Sequence, residues 1–456
     1  MNLEIIILAA GQGTRMKSTL PKVLHPVAGR PMLVHVVETA QQLDPAAIHV
    51  VVGHGADQVR AALDDYPINW VEQAEQLGTG HAVLQALPGV DPSHRVLVLY
   101  GDVPLIRAET LEALAQAAAD APALLTARVA DPTGYGRVLR DKQERLCGVV
   151  EQKDADDRQA AIDEINTGVL AAPAADLIDY LPRVGNANAQ GEYYLPDILA
   201  LAVADGKRVD TRQATSELEI LGVNDRVQLA TVEREFQRRQ AEALLRAGVA
   251  VADPQRLDVR GPLACGEGVS IDVNVVFEGR VVLGDGVSVG PNCVIRNAVI
   301  ETGATIHAMS HLEDVHVGAD ANVGPYARLR PGTVLAAGAR IGNFVETKKA
   351  HIGRGSKVNH LSYVGDTEMG DGVNVGAGTI TCNYDGVNKH TTRLGDGVFV
   401  GSNSTLVAPV EVAAGGFVGA GSTVTKAVGE NELAVSRARQ RNISGWQRPG
   451  ARELED

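Results

Sequence analysis

An apolar residue returns at every sixth position over most of the second half of the sequence, from Val259 to Val424. Three long series keep this spacing: Val259, Cys265, Ile271, Phe277, Leu283, Val289 and Ile295; Val317, Val323, Leu329, Leu335 and Ile341; and Leu394, Val400, Leu406, Val412, Val418 and Val424. A helix brings apolar residues back at three and four positions, and an antiparallel strand at two. A sustained period of six therefore indicates a hexapeptide-repeat solenoid.

Such a solenoid stacks short parallel strands, one for each hexad, with the apolar residue pointing inward and small turn residues beside it. Gly284-Asp285-Gly286 and Gly395-Asp396-Gly397 are suitable turn sequences. Three hexads close one triangular coil, so this stretch predicts roughly nine coils stacked about 4.8 Å apart, a prism about 45 Å long. An unrelated glycine-rich β domain is the alternative, and six successive matches in one register disfavour it. The period does not determine the hand of the coil.

Composition limits the classes of function. The 456 residues are enough for two or three domains, and a net charge of -14 argues against a general nucleic-acid binder. The longest apolar run near the start, Ile5 to Ala10, is too short to span a bilayer and follows no basic leader, so we expect a cytoplasmic protein without membrane insertion. Four cysteines without paired ligand spacing predict free, mostly buried thiols: Cys147, Cys265, Cys293 and Cys382.

The first half alternates predicted strands with predicted helices, which is typical of an open, mostly parallel α/β sheet. The strands are Leu3 to Leu8, Ile48 to Gly53 and Val96 to Tyr100, and the helices are Met32 to Leu43 and Ala108 to Ala119. Ligands collect at the carboxyl ends of the strands in such sheets. We therefore expect the first site where the first and third of these strands end.

Two short sequences at those strand ends carry candidate chemistry. The first strand runs into a glycine turn at Gly11 and Gly13, where backbone N–H groups could approach a phosphate and Arg15 and Lys22 add positive charge. Alone this signal is weak, because many such turns are glycine-rich only for packing. Asp102 follows the third strand and could hold a magnesium ion on substrate phosphates, although a turn aspartate is the simpler interpretation.

The combination of motifs is more specific than any one of them. The order of four motifs resembles that of the sugar-1-phosphate nucleotidyltransferase family: Leu8 to Met16, Pro21-Lys22, Gln73 with Gly78-Thr79-Gly80, and Tyr100-Gly101-Asp102. Five more extend the resemblance through the first half: Tyr135-Gly136-Arg137, Glu151-Gln152-Lys153, Asn166-Thr167-Gly168, Gly191-Glu192-Tyr193-Tyr194 and Gly222-Val223-Asn224.

The second half carries a dense polar cluster where the hexad register breaks. The breaks lie between Ile341 and Ile352, between Val364 and Met369, and between Val375 and Leu394, and we interpret them as inserted loops on a binding face. The period resembles that of hexapeptide-repeat acyltransferases, which are left-handed parallel β-helices. Motifs in this cluster resemble those of acetyltransferases: Arg328 to Gly332, Asn343 to Ala350, His360 to Tyr363, Asn374 to Ile380 and Cys382 to Gly386.

Together the two halves resemble the bacterial bifunctional family with N-acetylglucosamine-1-phosphate uridyltransferase and glucosamine-1-phosphate N-acetyltransferase activities. The resemblance implies a Rossmann-like nucleotidyltransferase domain at residues 1–226, a linker helix at 227–247, and a left-handed β-helix acetyltransferase domain with a C-terminal tail at 248–456. It also implies UDP-N-acetylglucosamine production for peptidoglycan and lipopolysaccharide synthesis. Two alternatives stay open: another sugar nucleotidyltransferase with a non-acetylating β-helix, and an inactive regulatory subunit with both folds.

For uridylyl transfer from UTP, the resemblance implies a Mg²⁺ ion held by Asp102 and Asn224, with Arg15 and Lys22 as catalytic cations. The residues implied for nucleotide and sugar binding are Leu8, Ala9, Ala10, Gly11, Lys22, Gln73, Gly78, Thr79, Tyr100, Gly101, Asp102, Gly136, Glu151, Asn166 and Asn224. A sugar phosphate attacking the α-phosphorus is already a nucleophile, so positioning and positive charge matter more than a general base.

For acetyl transfer from acetyl-CoA, the resemblance implies His360 as the base that frees the amine lone pair, which an imidazole with a pKa near 6.5 can do at neutral pH. The other implied roles are the sugar phosphate for Arg330 and Lys348, the sugar for Tyr363 and Asn374, and acetyl-CoA for Ala377, Asn383, Tyr384, Ser402, Ala420 and Arg437. The family forms homotrimers, so we expect each acetyltransferase site to be completed by a neighbour. The tail from Gly429 to Asp456 is expected to lie beyond the last hexad and to reach that neighbour.

Overall fold

A computed structural model describes residues 2–449 of the chain. The chain divides between Gln240 and Ala241 into two compact units. This division lies inside the helix predicted as the linker, and the domain boundaries at residues 226 and 247 stay a prediction. No helix in the described part of the chain is long and apolar enough to cross a membrane.

From residue 2 to residue 240, the first unit contains eleven strands and the helices around them. The strands are β1 Leu3–Leu8, β2 Pro26–Val27, β3 Arg30–Pro31, β4 Ala47–Val52, β5 Asn69–Glu72, β6 Arg95–Tyr100, β7 Ala123–Arg128, β8 Gly136–Arg140, β9 Leu146–Val150, β10 Glu164–Pro173 and β11 Asp210–Gln213. The helices are α1 Met32–Gln41, α2 Ala56–Ala62, α3 Thr79–Ala86, α4 Ala108–Ala117, α5 Asp157–Ala160, α6 Ala174–Tyr180 and α7 Asp197–Ala204. Short 3-10 turns lie at Thr14–Met16, Lys22–Leu24, Leu87–Gly89, Leu181–Arg183 and Glu217–Ile220.

The main sheet of this unit has the strand order β11-β7-β10-β6-β1-β4-β5, with β8 and β9 joined to β10 at the side. β1 pairs in parallel with β4 and β6, as predicted, because all three are apolar strands buried between helices. The longest strand, β10, is antiparallel to β6, β7 and β8, which the sequence pattern did not indicate. Leu8 and Tyr100 are paired at the carboxyl ends of β1 and β6, so the glycine turn and Asp102 begin at the same sheet edge.

Helix α8, Arg226–Arg246, follows the first unit's sheet and continues past the division at Gln240. Asp225 caps its start, because its carboxylate accepts the N–H groups of Val227 and Gln228 at 2.9 Å each. Gly248, with φ of 92°, follows its end. Both ends agree with the predicted helix.

The second unit consists of short parallel strands in two stacked sheets. The 11-stranded sheet contains Ala250–Val251, Ser270–Ile271, Ser288–Val289, Thr305–Ile306, Asn322–Val323, Arg340–Asn343, Lys357–His360, Asn374–Val375, Phe399–Val400, Phe417–Val418 and Leu433–Ala434. The 14-stranded sheet contains Leu257–Arg260, Leu263–Cys265, Val275–Leu283, Val294–Ile300, His311–Val317, Arg328–Leu329, Val334–Leu335, Glu346–Ile352, Tyr363–Met369, Ile380–Cys382, Thr392–Leu394, Thr405–Val407, Val410–Val412 and Thr423–Val424. A 3-10 turn lies at Pro254–Arg256.

This unit is the predicted parallel β-helix. The inward residues of the repeat form one continuous core and are buried along most of the coil, with Val251, Cys265 and Ala434 partly buried. Longer strands such as Val275–Leu283 bend at a residue with positive φ, here Gly279 at 62°, so two faces of the coil join in the 14-stranded sheet. A Cβ on Gly279 would lie 2.0 Å from Asn297 Oδ1 of the next rung, so a larger residue here would require the Asn297 side chain to move. The left hand of the coil stays an implication of the family resemblance.

Three expectations need correction. The first two register breaks are not inserted loops but coils shortened by one residue. Paired residues on successive rungs are 17 positions apart at Ile341↔Val358, whereas they are 18 apart at Ile271↔Val289. The break before Leu394 is a real insertion, because Met369 pairs with Leu394. The tail does not begin at Gly429, because Leu433–Ala434 forms one more rung. Of the cysteines, all four are free but only Cys293 is buried.

The buried pair of threonines in the β-helix core provides a test of its packing. Thr347 fills an inward position between Leu329 and Val364, and its hydroxyl lies 3.0 Å from that of Thr333. Thr333 also donates to the Arg330 carbonyl at 2.8 Å and would keep that partner in Thr347→Val. We expect this variant to change the free energy of unfolding by less than about 1 kcal/mol.

Leu329→Ala, in the next rung of the same stack, is the comparison variant. Leu329 is completely buried, so we expect a loss of about 2–5 kcal/mol. Urea unfolding followed by circular dichroism measures both changes, and Trp70 fluorescence checks that the first unit is unaffected. A loss above 2 kcal/mol in Thr347→Val would contradict this account of the core.

Candidate active sites

A cavity of about 330 Å³ lies where β1 and β6 end. Its lining residues are Leu8, Ala9, Ala10, Gly11, Lys22, Val23, Gln73, Gln76, Gly78, Thr79, Ala82, Tyr100, Asp102 and Glu192. Ten of them are predicted site residues, and Val23, Gln76, Ala82 and Glu192 are additional. The structure therefore brings together residues from five separate motifs of the first half.

The glycine turn after β1 is shaped by its contact with Lys22. Gly13 has a φ of 61°, and a Cβ there would lie 2.6 Å from the Cβ of Lys22. Glycine therefore lets the 3-10 turn at Thr14–Met16 pass close to the lysine. Arg15 is exposed on that turn and is not part of the cavity lining, so its predicted catalytic role stays a prediction.

Three predicted residues meet at one point beside the cavity. The Lys22 ammonium forms an ion pair with Asp102 and donates to Asn224 Oδ1 at 2.8 Å. The two oxygens thus lie within reach of a single cation. Mg²⁺ is usually bound by one or two protein oxygens together with water and substrate phosphate, so this pair fits the ion. No group of three or more histidine, cysteine or acidic side chains in residues 2–449 is arranged to hold a metal.

Two of the predicted sugar-binding residues, Gly136 and Asn166, lie on β8 and β10, and Glu151 directly follows β9. Asn166 pairs with Gly136 across two antiparallel strands, and its side chain hydrogen bonds to Glu151. A Cβ on Gly136 would lie 2.9 Å from Glu151 Oε1, so glycine makes room for the carboxylate. Burial raises the pKa of Glu151. Tyr100 lies against Gly168, where a Cβ would meet its ring at 2.6 Å, and burial raises the pKa of this tyrosine too.

Gln76 was missed by the sequence analysis, although it lies within the predicted Gln73 to Gly80 segment. Its amide Nε2 donates to the Ala10 carbonyl at 3.0 Å, and Gln73 Nε2 donates to the Gly78 carbonyl at 3.2 Å. Gln76 thereby connects this segment to the residues just before the glycine turn, while the Gln73 bond stays within the segment. Glu192 was quoted in a motif without a role, and it lines the same cavity.

The second candidate site begins with three cations on the 14-stranded sheet and the inserted loop, which we call the cation cluster: Arg330, Lys348 and Lys389. Arg330 pairs with Glu346 at 2.8 Å. A hydrogen bond with Lys389 and its positive charge lower the pKa of Lys348, and Arg330 contributes in the same direction. Lys389 was not predicted. It enters from the loop that separates Cys382 from Thr392, where its backbone is bridged to Tyr384.

Asn383 lies between the cation cluster and Tyr363. Its side chain is largely buried, and its Nδ2 donates to the Asp366 carboxylate and, at 3.5 Å, to the Tyr363 hydroxyl. Tyr384 is 59% exposed, and its hydroxyl donates to the Gly386 carbonyl at 2.5 Å. The loop therefore positions one predicted acetyl-CoA residue firmly and leaves the other open to solvent.

His360 lies at the end of a strand of the 11-stranded sheet. It is exposed, and its Nδ1 lies 2.9 Å from Asn343 Oδ1 on the rung before it. Asn374 begins the strand on the next rung, where it pairs with Lys357.

Three of the predicted acetyl-CoA residues are stacked along one corner of the coil. The N–H of Asn403 donates to the Ala377 carbonyl at 2.7 Å, and the N–H of Gly421 donates to the Ser402 carbonyl at 2.8 Å. Arg437 reaches back to this stack and donates to the Ala420 carbonyl at 2.6 Å. The residues predicted for the pantetheine groove therefore form a continuous line on successive rungs.

Within one chain, the predicted residues of the second site fall into two groups. Lys348, Tyr363 and Asn383 belong to the 14-stranded sheet and the inserted loop, whereas His360 and Asn374 belong to the 11-stranded sheet. In residues 2–449, no hydrogen bond or ion pair joins side chains of one group to those of the other. A corner of the coil lies between the groups.

Comparisons with known proteins cover both units. The family model described as the MobA-like NTP transferase domain matches residues 5–163, and the GMPPB C-terminal domain model matches residues 259–345. Three relatives carry the name "Bifunctional protein GlmU". The chain is 60% identical to that of Marinobacter nauticus over 98% of its own length and 99% of the relative. Identity is 58% for Alkalilimnicola ehrlichii, covering 99% and 97%, and 57% for Pseudomonas putida, covering 98% and 99%.

The partly buried carboxylate of Glu151 predicts a pH-dependent effect on stability. The pKa of Glu151 is higher in the folded chain than its ordinary value of 4.5. Folding therefore favours the protonated carboxyl, which contributes its full stability below pH 4.5. This contribution is lost as the pH rises through the pKa of the folded chain. Glu151→Gln cannot ionise, so we expect it to be more stable than the parent above that range, with the difference disappearing near pH 4.

Urea unfolding followed by Trp70 fluorescence between pH 4 and 8 measures this effect in the first unit. Glu112→Gln, which removes an exposed carboxylate from α4, is the matched control and should show no comparable dependence on pH. If Glu151→Gln became less stable than the parent as the pH rises, burial would not be the dominant interaction of this carboxylate.

Proposed function

The chain belongs to the bifunctional GlmU family, and we propose from the geometry of its two sites how it makes UDP-N-acetylglucosamine. It is a transferase with two activities. One moves the acetyl group of acetyl-CoA to glucosamine 1-phosphate, and the other moves a uridylyl group from UTP to N-acetylglucosamine 1-phosphate and releases pyrophosphate. The observation that carries this function is close similarity to family members over nearly the whole chain, both candidate sites included. Nothing favours the two alternatives, a non-acetylating β-helix or an inactive subunit.

In the uridyltransferase site, the turn from Leu8 to Gly11 and the segment from Gln73 to Thr79 enclose the nucleotide. Gly136, Glu151 and Asn166 bind the sugar. An oxygen of the sugar phosphate attacks the α-phosphorus of UTP, a new P–O bond forms, and the bond to the β-phosphate breaks as pyrophosphate leaves. Lys22, with Arg15 beside the turn, offsets the negative charge that collects in this step. No general base is required, because the attacking phosphate oxygen carries no proton that must be removed.

Asp102 and Asn224 are the residues that would hold Mg²⁺. Their shared contact with Lys22 supports this assignment, because two oxygen atoms already converge on one cation. When bound there, the ion would draw negative charge from the phosphate oxygens of UTP. Lys22 then moves its ammonium to the triphosphate, and Gly101 keeps the Asp102 turn against β1 through its N–H bond to the Leu8 carbonyl.

In the acetyltransferase site, the cation cluster binds the phosphate of glucosamine 1-phosphate. Three like charges held close together are relieved by an anion, which explains why Lys389 approaches Lys348. Tyr363 and Asn374 bind the sugar. Asn383 and Tyr384 bind the acetyl end of acetyl-CoA, while Ala377, Ser402 and Ala420 line the pantetheine path and Arg437 meets the coenzyme phosphate.

His360 is the proposed general base. Its Nε2 takes a proton from the sugar amine, the nitrogen attacks the thioester carbonyl, and the C–S bond breaks to release the coenzyme A thiolate, which takes a proton. We assign residues 1–226 and 248–456 to the two activities, joined by the helix at 227–247. The need for UTP and acetyl-CoA, together with four free thiols, supports a cytoplasmic location.

Because the two sites share no residue, we expect each to fail separately. Asp102→Ala should abolish uridylyl transfer and leave acetyl transfer intact, while His360→Ala should lower acetyl transfer by about 10² to 10⁴-fold and still convert supplied N-acetylglucosamine 1-phosphate. One assay with glucosamine 1-phosphate, acetyl-CoA, UTP and Mg²⁺ follows thiol release, pyrophosphate and UDP-sugar together. Equal loss of both activities in a folded variant would contradict separate sites.

We propose a homotrimer built on the β-helix, with the acetyltransferase site shared between neighbours. Two observations support it. The two groups of second-site residues lie on different sides of a corner of the coil. On the same corner, four apolar side chains in the left-handed region are 45 to 63% exposed: Met309, Tyr326, Phe344 and Leu361. Bulky residues are unfavourable in that conformation, and burial against a partner would offset the cost.

A complementation experiment tests the shared site. Sedimentation should give a mass near three chains. A chain ending at Ser436 keeps the last rung but loses Arg437, so it should use acetyl-CoA poorly. After joint refolding with His360→Ala chains, the mixture should regain acetyl transfer. In a mixed trimer, one site can combine His360 from a truncated chain with Arg437 from a His360→Ala chain. A fully active monomer, or the absence of recovery in mixed trimers, would refute the shared site.

A further inference from the structure

We propose that Asn343 is a positioning residue for acetyl transfer, whose amide oxygen keeps His360 in the tautomer that can act as a base. The inference rests on the proposed function of His360. Nothing in the motifs indicated this role, because Asn343 and His360 come close only through the pairing of two rungs.

The backbone places the two side chains in register. Arg340–Asn343 and Lys357–His360 are parallel neighbours in the 11-stranded sheet, and Asn343 is the direct partner of His360. The Asn343 carbonyl also accepts the N–H of Leu361 at 3.1 Å. Both strands end at the same corner, where Phe344 and Leu361 adopt positive φ angles of 56° and 47°. The amide of Asn343 therefore projects from a backbone that is fixed on both sides.

The contact determines which nitrogen of the imidazole carries the proton. Asn343 Oδ1 lies 2.9 Å from His360 Nδ1, and a carbonyl oxygen can only accept a hydrogen bond. Nδ1 must then carry the hydrogen, which leaves the lone pair on Nε2 to take a proton from the substrate amine. After that transfer, Nδ1–H still donates to the same oxygen, so the contact also stabilises the imidazolium.

A neutral partner suits this purpose better than a carboxylate. Two other histidines of the same unit have carboxylate partners at 2.7 Å, His316 with Glu301 and His390 with Asp385. A carboxylate adds a negative charge that favours the protonated imidazole. The amide of Asn343 orients His360 without adding such a charge.

Two substitutions and one matched control test the proposal in the full-length enzyme. Asn343→Ala removes the acceptor, so we expect kcat for acetyl transfer to fall about tenfold, as for the loss of one hydrogen bond, with KM for both substrates within twofold. Asn343→Asp keeps an acceptor and adds charge, so it should restore kcat at high pH and move the pKa on the acidic side of the kcat/KM profile, where the base becomes protonated, upward. Uridylyl transfer should be unchanged in both variants.

Asn322→Ala is the matched control, because Asn322 Oδ1 lies 3.4 Å from a histidine nitrogen, His307 Nε2, on an earlier rung. It should leave acetyl transfer unchanged. Full kcat in Asn343→Ala, with acetyl transfer lost in His360→Ala, would overturn the positioning role and leave the proposed function standing. Full activity in His360→Ala would overturn the base itself. A rise in KM without a fall in kcat, or an unshifted pH profile in Asn343→Asp, would also reject this role for Asn343.

Discussion

Parallel pairing between successive rungs of the β-helix is the interaction on which the whole second site depends. The inward aliphatic residues lock each rung onto the next, so residues 17 or 18 positions apart become neighbours on the surface. Asn343 meets His360 in this way, and Lys348 lies beside Gly365. The packing of repeated Val, Ile and Leu in the core therefore fixes the spacing of the polar side chains on the surface of the candidate site.

Concentrated positive charge in an acidic protein is common to both sites. The chain carries a net charge of -14, yet Lys22 lines the cavity at the ends of β1 and β6, and Lys348 lies close to Lys389. Such charges are unfavourable next to one another and become favourable when a phosphate lies between them. The same physical device thus serves two reactions whose substrates share a sugar phosphate.

The two units form their candidate sites from different backbone elements. The first unit gathers its site from loops at one edge of a sheet, where glycines such as Gly13 and Gly136 allow side chains to pass close to the backbone. The second unit gathers its site from the ends of strands and one inserted loop, with asparagines and glycines at the corners. In the first unit, the Glu151 side chain passes close to Gly136 in this way, and partial burial of its carboxylate raises the pKa.

The sequence by itself determined the repeat architecture, the strands around β1 and β6, and the identity of most cavity residues. A period of six has one common structural solution, and a strand followed by glycines or by Asp102 must place those residues at a sheet edge. Tertiary structure alone decided which side chains touch. Contacts between distant segments produce four features of the structure: the one-residue shortening of some coils, the approach of Lys389 to Lys348, the hydrogen bond between Asn343 and His360, and the partial burial of Glu151. The local sequence pattern does not predict these contacts, because one residue added or removed at a corner changes which residues are neighbours on all later rungs.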